Sequence, residues 1–109
     1  AGRIKVLAVA DGKRSNALPQ VQTFAELSLP AMQAVTFFSV VAPPGTPPSA
    51  VQAIQQQFSA ALALPDVRQK FAAQGADPGG QTPQETTAFI RGESEKWAHV
   101  IKTANVTID

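Results

Sequence analysis

The sequence has no cysteine and no tyrosine, and one residue each of histidine, tryptophan and methionine. Without cysteine there is no disulfide, no thiolate zinc site and no thiol nucleophile. With one imidazole and no phenol, few side chains are suited to general acid–base work. Charge is scarce too. Charged residues make up 16% of the chain, and 9 Lys and Arg against 8 Asp and Glu leave a net +1. That balance presents no basic face to a phosphate backbone, so nucleic acid is excluded as a partner. No apolar run is long enough to cross a bilayer. What is there, 109 residues with 44% apolar side chains, suits one globular α/β unit. A chain of this size can bury roughly two-thirds of its surface.

Ile4–Ala10 (IKVLAVA) is nearly all apolar and rich in β-branched residues, the pattern of a strand covered on both faces. Asp11-Gly12 breaks it, and a polar stretch, Lys13–Gln22, follows. Thr23, with Glu26 three residues later, predicts a capped short helix that Pro30 ends. Ala34–Val41 (AVTFFSVV) reads as the second strand. Val35, Phe37, Ser39 and Val41 share one face, and Thr36, Phe38 and Val40 the other. Four prolines then stiffen Pro43–Pro48.

The pattern beyond is helical. Thr46 is placed to cap a helix with Pro47 in its first position. Val51, Ile54, Phe58, Ala61 and Leu62 form an apolar stripe, with Gln52, Gln55, Gln56 and Ser59 opposite. Pro65 starts a second helix, with Val67 and Phe71 inward and Gly75 just past its end. Thr82-Pro83-Gln84-Glu85 is the clearest local signal, a cap, a first-turn proline and a capping-box glutamate. Phe89, Ile90, Trp97, Val100 and Ile101 continue that helix to about Ala104, where Asn105 can stop it. Val106–Asp109 reads as a short strand or a tail. Two strands under three helices leave strand edges open. The expectation is that partner strands come from an upstream part of the chain or from another copy. The opening residues Ala1–Lys5 lack the features of a secretory signal, and the strand pattern starts abruptly at Ile4, as if cut.

Few residues carry chemistry. His99 lies off the apolar stripe and reads as a solvated or helix-end histidine, since no nucleophile–base arrangement accompanies it. Asp11-Gly12-Lys13-Arg14-Ser15 sits at the carboxyl end of a strand, where open α/β sheets hold ligands. The alternative is a turn in which Asp11 bonds its own backbone. Lys13 and Arg14 could attract an anion, or could simply be exposed. Pro43-Pro44-Gly45-Thr46-Pro47 and Gly79-Gly80 lack the spacing of a phosphate loop. Phe37 and Phe38 face opposite ways, so one is core and the other can line a cleft.

Several segments taken in order resemble one family. Gly2–Val9, Lys13-Arg14-Ser15, Ala17-Leu18-Pro19 and Thr23-Phe24-Ala25-Glu26 are similar to a stretch of the Bug family, the extracytoplasmic receptors of tripartite tricarboxylate transporters. Phe37–Pro43 with Gly45-Thr46-Pro47 resembles its aromatic strand and Ala-Pro-x-Gly-Thr-Pro turn. Leu64–Arg68, Ala73–Ala76, Thr82-Pro83 and Lys96-Trp97 continue the likeness across nearly the whole chain.

The resemblance implies an α/β chain forming part of a two-lobed, type II periplasmic-binding-protein fold. It implies a C-terminal portion, with residues 1–42 near the lobe crossing and 43–109 helical. The implied function is non-enzymatic capture of a small organic anion, a di- or tricarboxylate, in the periplasm, with membrane transporter subunits as partners and no cofactor or metal. Asp11, Phe37 and Phe38 are the implied ligand-binding residues, in a site left incomplete without the upstream lobe. Asp11 stands where the family favours a small hydroxyl residue, Phe37 where Trp is common, Ser39 where Gly is common and Gln22 where Pro is usual. An acidic residue on the ligand side repels an anion and points to a ligand with a cationic group. The alternative reading is a small interaction module that self-associates through open strand edges.

Overall fold

A computed structural model describes residues 4–107. The chain divides into two compact units, Ala1–Val40 with Ala63–Pro78 and Val41–Leu62 with Gly79–Asp109. Three helices are present, α1 (Pro48–Ala63), α2 (Pro65–Ala73) and α3 (Pro83–Thr103). Each opens on proline, whose missing N–H is unneeded in a first turn and whose φ is already helical.

The helix ends follow local chemistry. At the start of α3, Thr82 Oγ1 accepts from Glu85 N–H (3.2 Å), and Glu85 Oε2 accepts from Thr82 N–H (2.8 Å), a complete capping box. At the end of α2, Gly75 takes φ +70°, Gly75 N–H donates to Ala72 O and Ala76 N–H to Phe71 O. At the end of α3, Asn105 takes φ +50°, donating to Lys102 O, and Val106 N–H reaches Ile101 O. Both are Schellman ends, with glycine or asparagine in the left-handed position. The start of α1 differs from expectation by one residue. Thr46 does not cap it. Its N–H and hydroxyl both donate to Pro43 O (3.2 and 2.8 Å), closing a turn through Gly45 at φ +83°. The carbonyl of Pro47 accepts from Val51 N–H instead, and Pro48 becomes the first helical residue.

The extended half departs further. Among the described residues neither Ile4–Ala10 nor Ala34–Val41 forms a ladder. Val9 makes one parallel bridge to Thr23, through Val9 N–H to Gln22 O (2.9 Å) and Phe24 N–H to Val9 O (3.1 Å). The next residue, pointing the other way, accepts once, from Ala34 N–H to Ala10 O (2.9 Å). An extended segment becomes a strand only when a neighbour runs beside it for several residues. Here both neighbours leave after one contact. The predicted short helix at Thr23 is also cut to a turn. Leu27 N–H and Leu29 N–H both reach Phe24 O, and Ser28 turns to φ +64° ahead of Pro30.

Burial is correspondingly slight. Among the described residues no apolar side chain is buried, and the one buried residue is Thr23, 3% exposed. Val67 is half-buried, while Phe71, Ile54 and Phe58 are exposed. On α1 the face read as outward is also partnered, alongside half-buried Val51 and Leu62 of the apolar stripe. Gln55 and Ser59 are half-buried, and Ser59 Oγ donates to Gly80 O (3.2 Å). Gln55 Nε2 donates to Ser59 Oγ (2.8 Å) and Gln81 O (3.3 Å). Carbonyls at the entrance to α3 need donors, and an amide and a hydroxyl supply them where Ile54 or Phe58 could not. On α3, Lys96 pairs with Glu93, which also accepts from Trp97 Nε1 (3.0 Å). The expected terminal strand falls partly on 108–109, outside the described residues; Val106 and Thr107 have no regular structure.

Candidate functional site

The loop between Ala10 and Glu26 is built by charges. Arg14 Nε donates to both Glu26 oxygens (3.0 and 2.9 Å), Nη2 donates to Glu26 Oε1 (2.8 Å), and Nη1 reaches Pro19 O (3.1 Å). Glu26 Oε2 also accepts from Thr23 N–H (2.8 Å), while Thr23 Oγ1 accepts from Glu26 N–H (3.1 Å). Glu26 therefore serves a capping box and a guanidinium together. The hydrogen bond from Arg14 is the main cause that holds its carboxyl below the usual glutamate range, and the same bond raises Arg14.

Lys13 is paired as well. Its Nζ lies 2.8 Å from Asp77 Oδ2, and Asn16 Nδ2 donates to Asp77 Oδ1 (3.2 Å). The bond from Lys13 is the first cause lowering Asp77. Lys13 and Arg14 thus each face a carboxylate of this chain, and are neither a free anion-attracting pair nor merely exposed. Asp77 and Asn16 were invisible as partners, since they stand 61 residues apart and neither belongs to a motif.

Asp11 is half-buried, and its Oδ1 accepts from the N–H of the next residue, Gly12, at 2.6 Å, a contact within the turn that follows Ala10. Phe37 and Phe38 are 42% and 96% exposed, so neither is core among the described residues, where one of the two was expected to be. The Ala10–Ala34 hydrogen bond ties their segment to the residue before Asp11. Three residues of extended chain, about 10 Å, separate Ala34 from Phe37. All three expected site residues thus belong to one unit. Two surface recesses lie elsewhere. One of about 440 Å3 is flanked by Ile4, Val6, Leu7, Leu18 and Val21, and one of about 400 Å3 by Pro83, Thr87 and Arg91. Neither includes Asp11, Phe37 or Phe38. His99 is exposed on α3. Among the described residues no three His, Cys, Asp or Glu side chains gather as a metal site, and no helix is long and apolar enough to cross a membrane.

Comparison with known proteins identifies the lineage. The model of the tripartite tricarboxylate transporter family receptor matches residues 1–106. Protein BugT of Bordetella pertussis is 39% identical over 101 residues, covering 93% of this chain and 31% of that protein. A protein encoded in the tcbD–tcbE intergenic region of Pseudomonas sp. strain P51 is 33% identical over 102 residues, covering 93% of this chain and 30% of its own length. Among solved structures, R. palustris Rpa4515 with adipate superposes with a TM-score of 0.74 at 34% identity, covering 93% of this chain and 34% of that one. The chain spans about a third of the length of the relatives it matches. Its fold is accordingly part of the two-lobed α/β architecture of periplasmic binding proteins, helix-rich in the part seen here. A match running through 106 of 109 residues, together with that superposition, makes this chain a member of the tripartite tricarboxylate transporter receptor family.

Proposed function

We propose that this chain is the C-terminal portion of a periplasmic receptor that captures a small organic acid and hands it to the membrane subunits of a tripartite tricarboxylate transporter. The observation that carries this reading is the family match over residues 1–106, supported by the likeness to Rpa4515, whose structure holds adipate. A receptor of this kind performs no chemistry; its lobes close on the ligand. Asp11, Phe37 and Phe38 are our candidates for the ligand site. The two phenylalanines of an extended segment face opposite ways, so one of them supplies apolar surface to the ligand, and Asp11 supplies a carboxylate beside Gly12. A carboxylate there opposes a bare dianion, so the favoured ligand is an acid that also carries a cationic or hydrogen-bond-donating group. With a third of the receptor's length, the isolated chain holds only part of this site.

The test is calorimetric titration of the receptor expressed with its full reading frame, against adipate, citrate, an amino acid and a neutral sugar. Saturable binding of one of the acids, with none by residues 1–109 alone, is the expected result. Binding of the sugar only, or of nothing in a folded full-length protein, overturns the reading. A second reading, an interaction module, is favoured by one observation: Ile4, Leu7 and Phe38 of one unit are each at least 76% exposed, uncovered apolar surface that calls for a partner.

A further inference from the structure

The exposed area can be weighed. The chain exposes 9107 Å2. A compact monomer of its mass, 11.4 kDa, exposes about 5,800 Å2, and two separately closed halves would expose about 7,000 Å2 together. The surplus is therefore roughly 2,000–3,300 Å2 whichever comparison is used. That is the area a permanent partner covers and far beyond a transient contact.

The sequence shows where a partner can add. Residues 34–42 contain no charge, no proline and no glycine, and are rich in β-branched and aromatic residues, the composition of a segment that pairs with its own kind. Backbone groups of alternate residues point to the same edge of an extended chain. On the edge carrying Thr36, Phe38 and Val40, no N–H or C=O makes a hydrogen bond to any described residue. On the same three residues the side chains are exposed, Phe38 at 96% and Val40 at 68%. A net charge of +1 puts little repulsion between two copies.

We propose that residues 1–109, when separated from the rest of the receptor, form a two-fold dimer in which Thr36–Val40 pairs antiparallel with the same residues of a second copy. The two-fold axis passes beside Phe38, setting Phe38 opposite Phe38 and Thr36 opposite Val40. This is an isologous contact, closed at two chains, and aromatic residues directly opposite are a favourable cross-strand pair. The inference rests on the reading that the remaining two-thirds of the receptor cover this edge in the intact protein. It is independent of what that receptor binds.

The experiment uses the 109-residue chain in sedimentation equilibrium, with two variants, Phe38→Lys and Phe38→Glu. Because Phe38 is almost wholly exposed, neither change disturbs folding within the chain, which circular dichroism checks. The wild-type chain is expected to be a dimer at micromolar concentration. Each variant alone is expected to weaken dimerisation at least about tenfold, and an equimolar mixture is expected to restore it, because Lys meets Glu only in this register. A wild-type monomer at about 100 μM, variants that dimerise as well as wild type, or a mixture no tighter than its components each overturn the proposal. None of these outcomes touches the titration of the full-length receptor, so the two readings fail separately.

Discussion

Thr23–Glu26 and Thr82–Glu85 carry the same reciprocal hydrogen bonds, with side-chain-to-backbone distances of 2.8–3.1 Å in the first and 2.8–3.2 Å in the second. One opens a 21-residue helix and the other a single turn. The caps are alike; the residues after them are not. After Glu85 no proline occurs, and an apolar stripe runs from Phe89 to Ile101. After Glu26 the chain meets Pro30, which cannot donate in a helical ladder, and Ser28 has already turned to φ +64°. A capping box satisfies the first orphan N–H groups; it does not supply the propagation that makes a helix.

The largest test of this comparison makes α3 resemble the short turn. Ser94→Pro, on an exposed position of α3, removes one ladder bond and clashes with the preceding turn, at a cost of about 3 kcal/mol. Helical ellipticity at 222 nm should fall by roughly the share contributed by half of α3. A full-strength helical signal with an unchanged melting curve would mean that α3 is not held by its ladder.

Next in size are the caps. Thr82→Ala and Thr23→Ala should each cost about 1 kcal/mol, with different reach. Loss of Thr82 frays the start of α3, and hydrogen exchange should quicken at Glu85 and its neighbours. Thr23→Ala removes the hydroxyl that accepts from Glu26 N–H, on a residue whose carboxylate Arg14 also holds, while the residue-23 N–H can still donate to Glu26 Oε2. Exchange should then quicken first at Glu26, whose N–H loses its acceptor, and the Arg14 side-chain resonance should broaden. Equal and purely local effects in the two variants would show that the Arg14 contact is incidental.

Salt and acid separate the boxes again. Glu26 and Glu85 both lie below the ordinary glutamate range, but Arg14 is the leading cause for Glu26, while backbone and hydroxyl donation from Thr82 are the causes for Glu85. A depressed folded-state value contributes stability that is present above the unfolded-state value, near 4, and disappears as pH falls through the folded one. Both contributions should therefore be lost in acid. Raising ionic strength from about 0.05 to 1 M shortens the screening length to about 3 Å, so the Glu26 midpoint should move up toward its ordinary value and the Glu85 midpoint should hold. Carboxyl carbon shifts followed by NMR report each midpoint, and parallel movement of the two would remove the distinction.

The same contrast explains what could be read in advance. Helix starts and ends were legible because their signals lie within a few residues: Thr82 with Glu85, Pro65 at a first turn, Gly75 and Asn105 past the ends. Thr46 misled because the helix begins one residue later, at Pro48, while the Thr46 hydroxyl donates back to Pro43 O in the preceding turn. The ladders expected at Ile4–Ala10 and Ala34–Val41 depend on a neighbour, and apolar alternation marks a segment as fit for a sheet without saying that the neighbour is in this chain. On the candidate site, the contact of the Asp11 carboxylate with Gly12 N–H follows from local rules, because both groups lie in one turn. The partners of Lys13 and Arg14 do not. Arg14 meets Glu26 across 12 residues and Lys13 meets Asp77 across the whole of α1 and α2, and no local pattern encodes either distance.

The smallest expected effect lies at the two Schellman ends, which share a hydrogen-bond pattern and differ in the residue at the turn. Gly75 at φ +70° has no Cβ to clash, and a Cβ built there would meet nothing within 4 Å, so the cost of any other residue is conformational and not steric. Asn105 at φ +50° tolerates the same region through its short polar side chain. Asn105→Gly should therefore stabilise the end of α3 by less than about 0.5 kcal/mol, and Gly75→Asn should destabilise the end of α2 by a similar amount. Far apart in sequence and sharing no hydrogen-bond partner, the two changes should add. The double variant should then melt at the wild-type temperature, while the single variants bracket it. A double variant displaced from wild type by more than the sum of the two would show that the helix ends are energetically linked, and that the left-handed turn at one is not set by its own four residues.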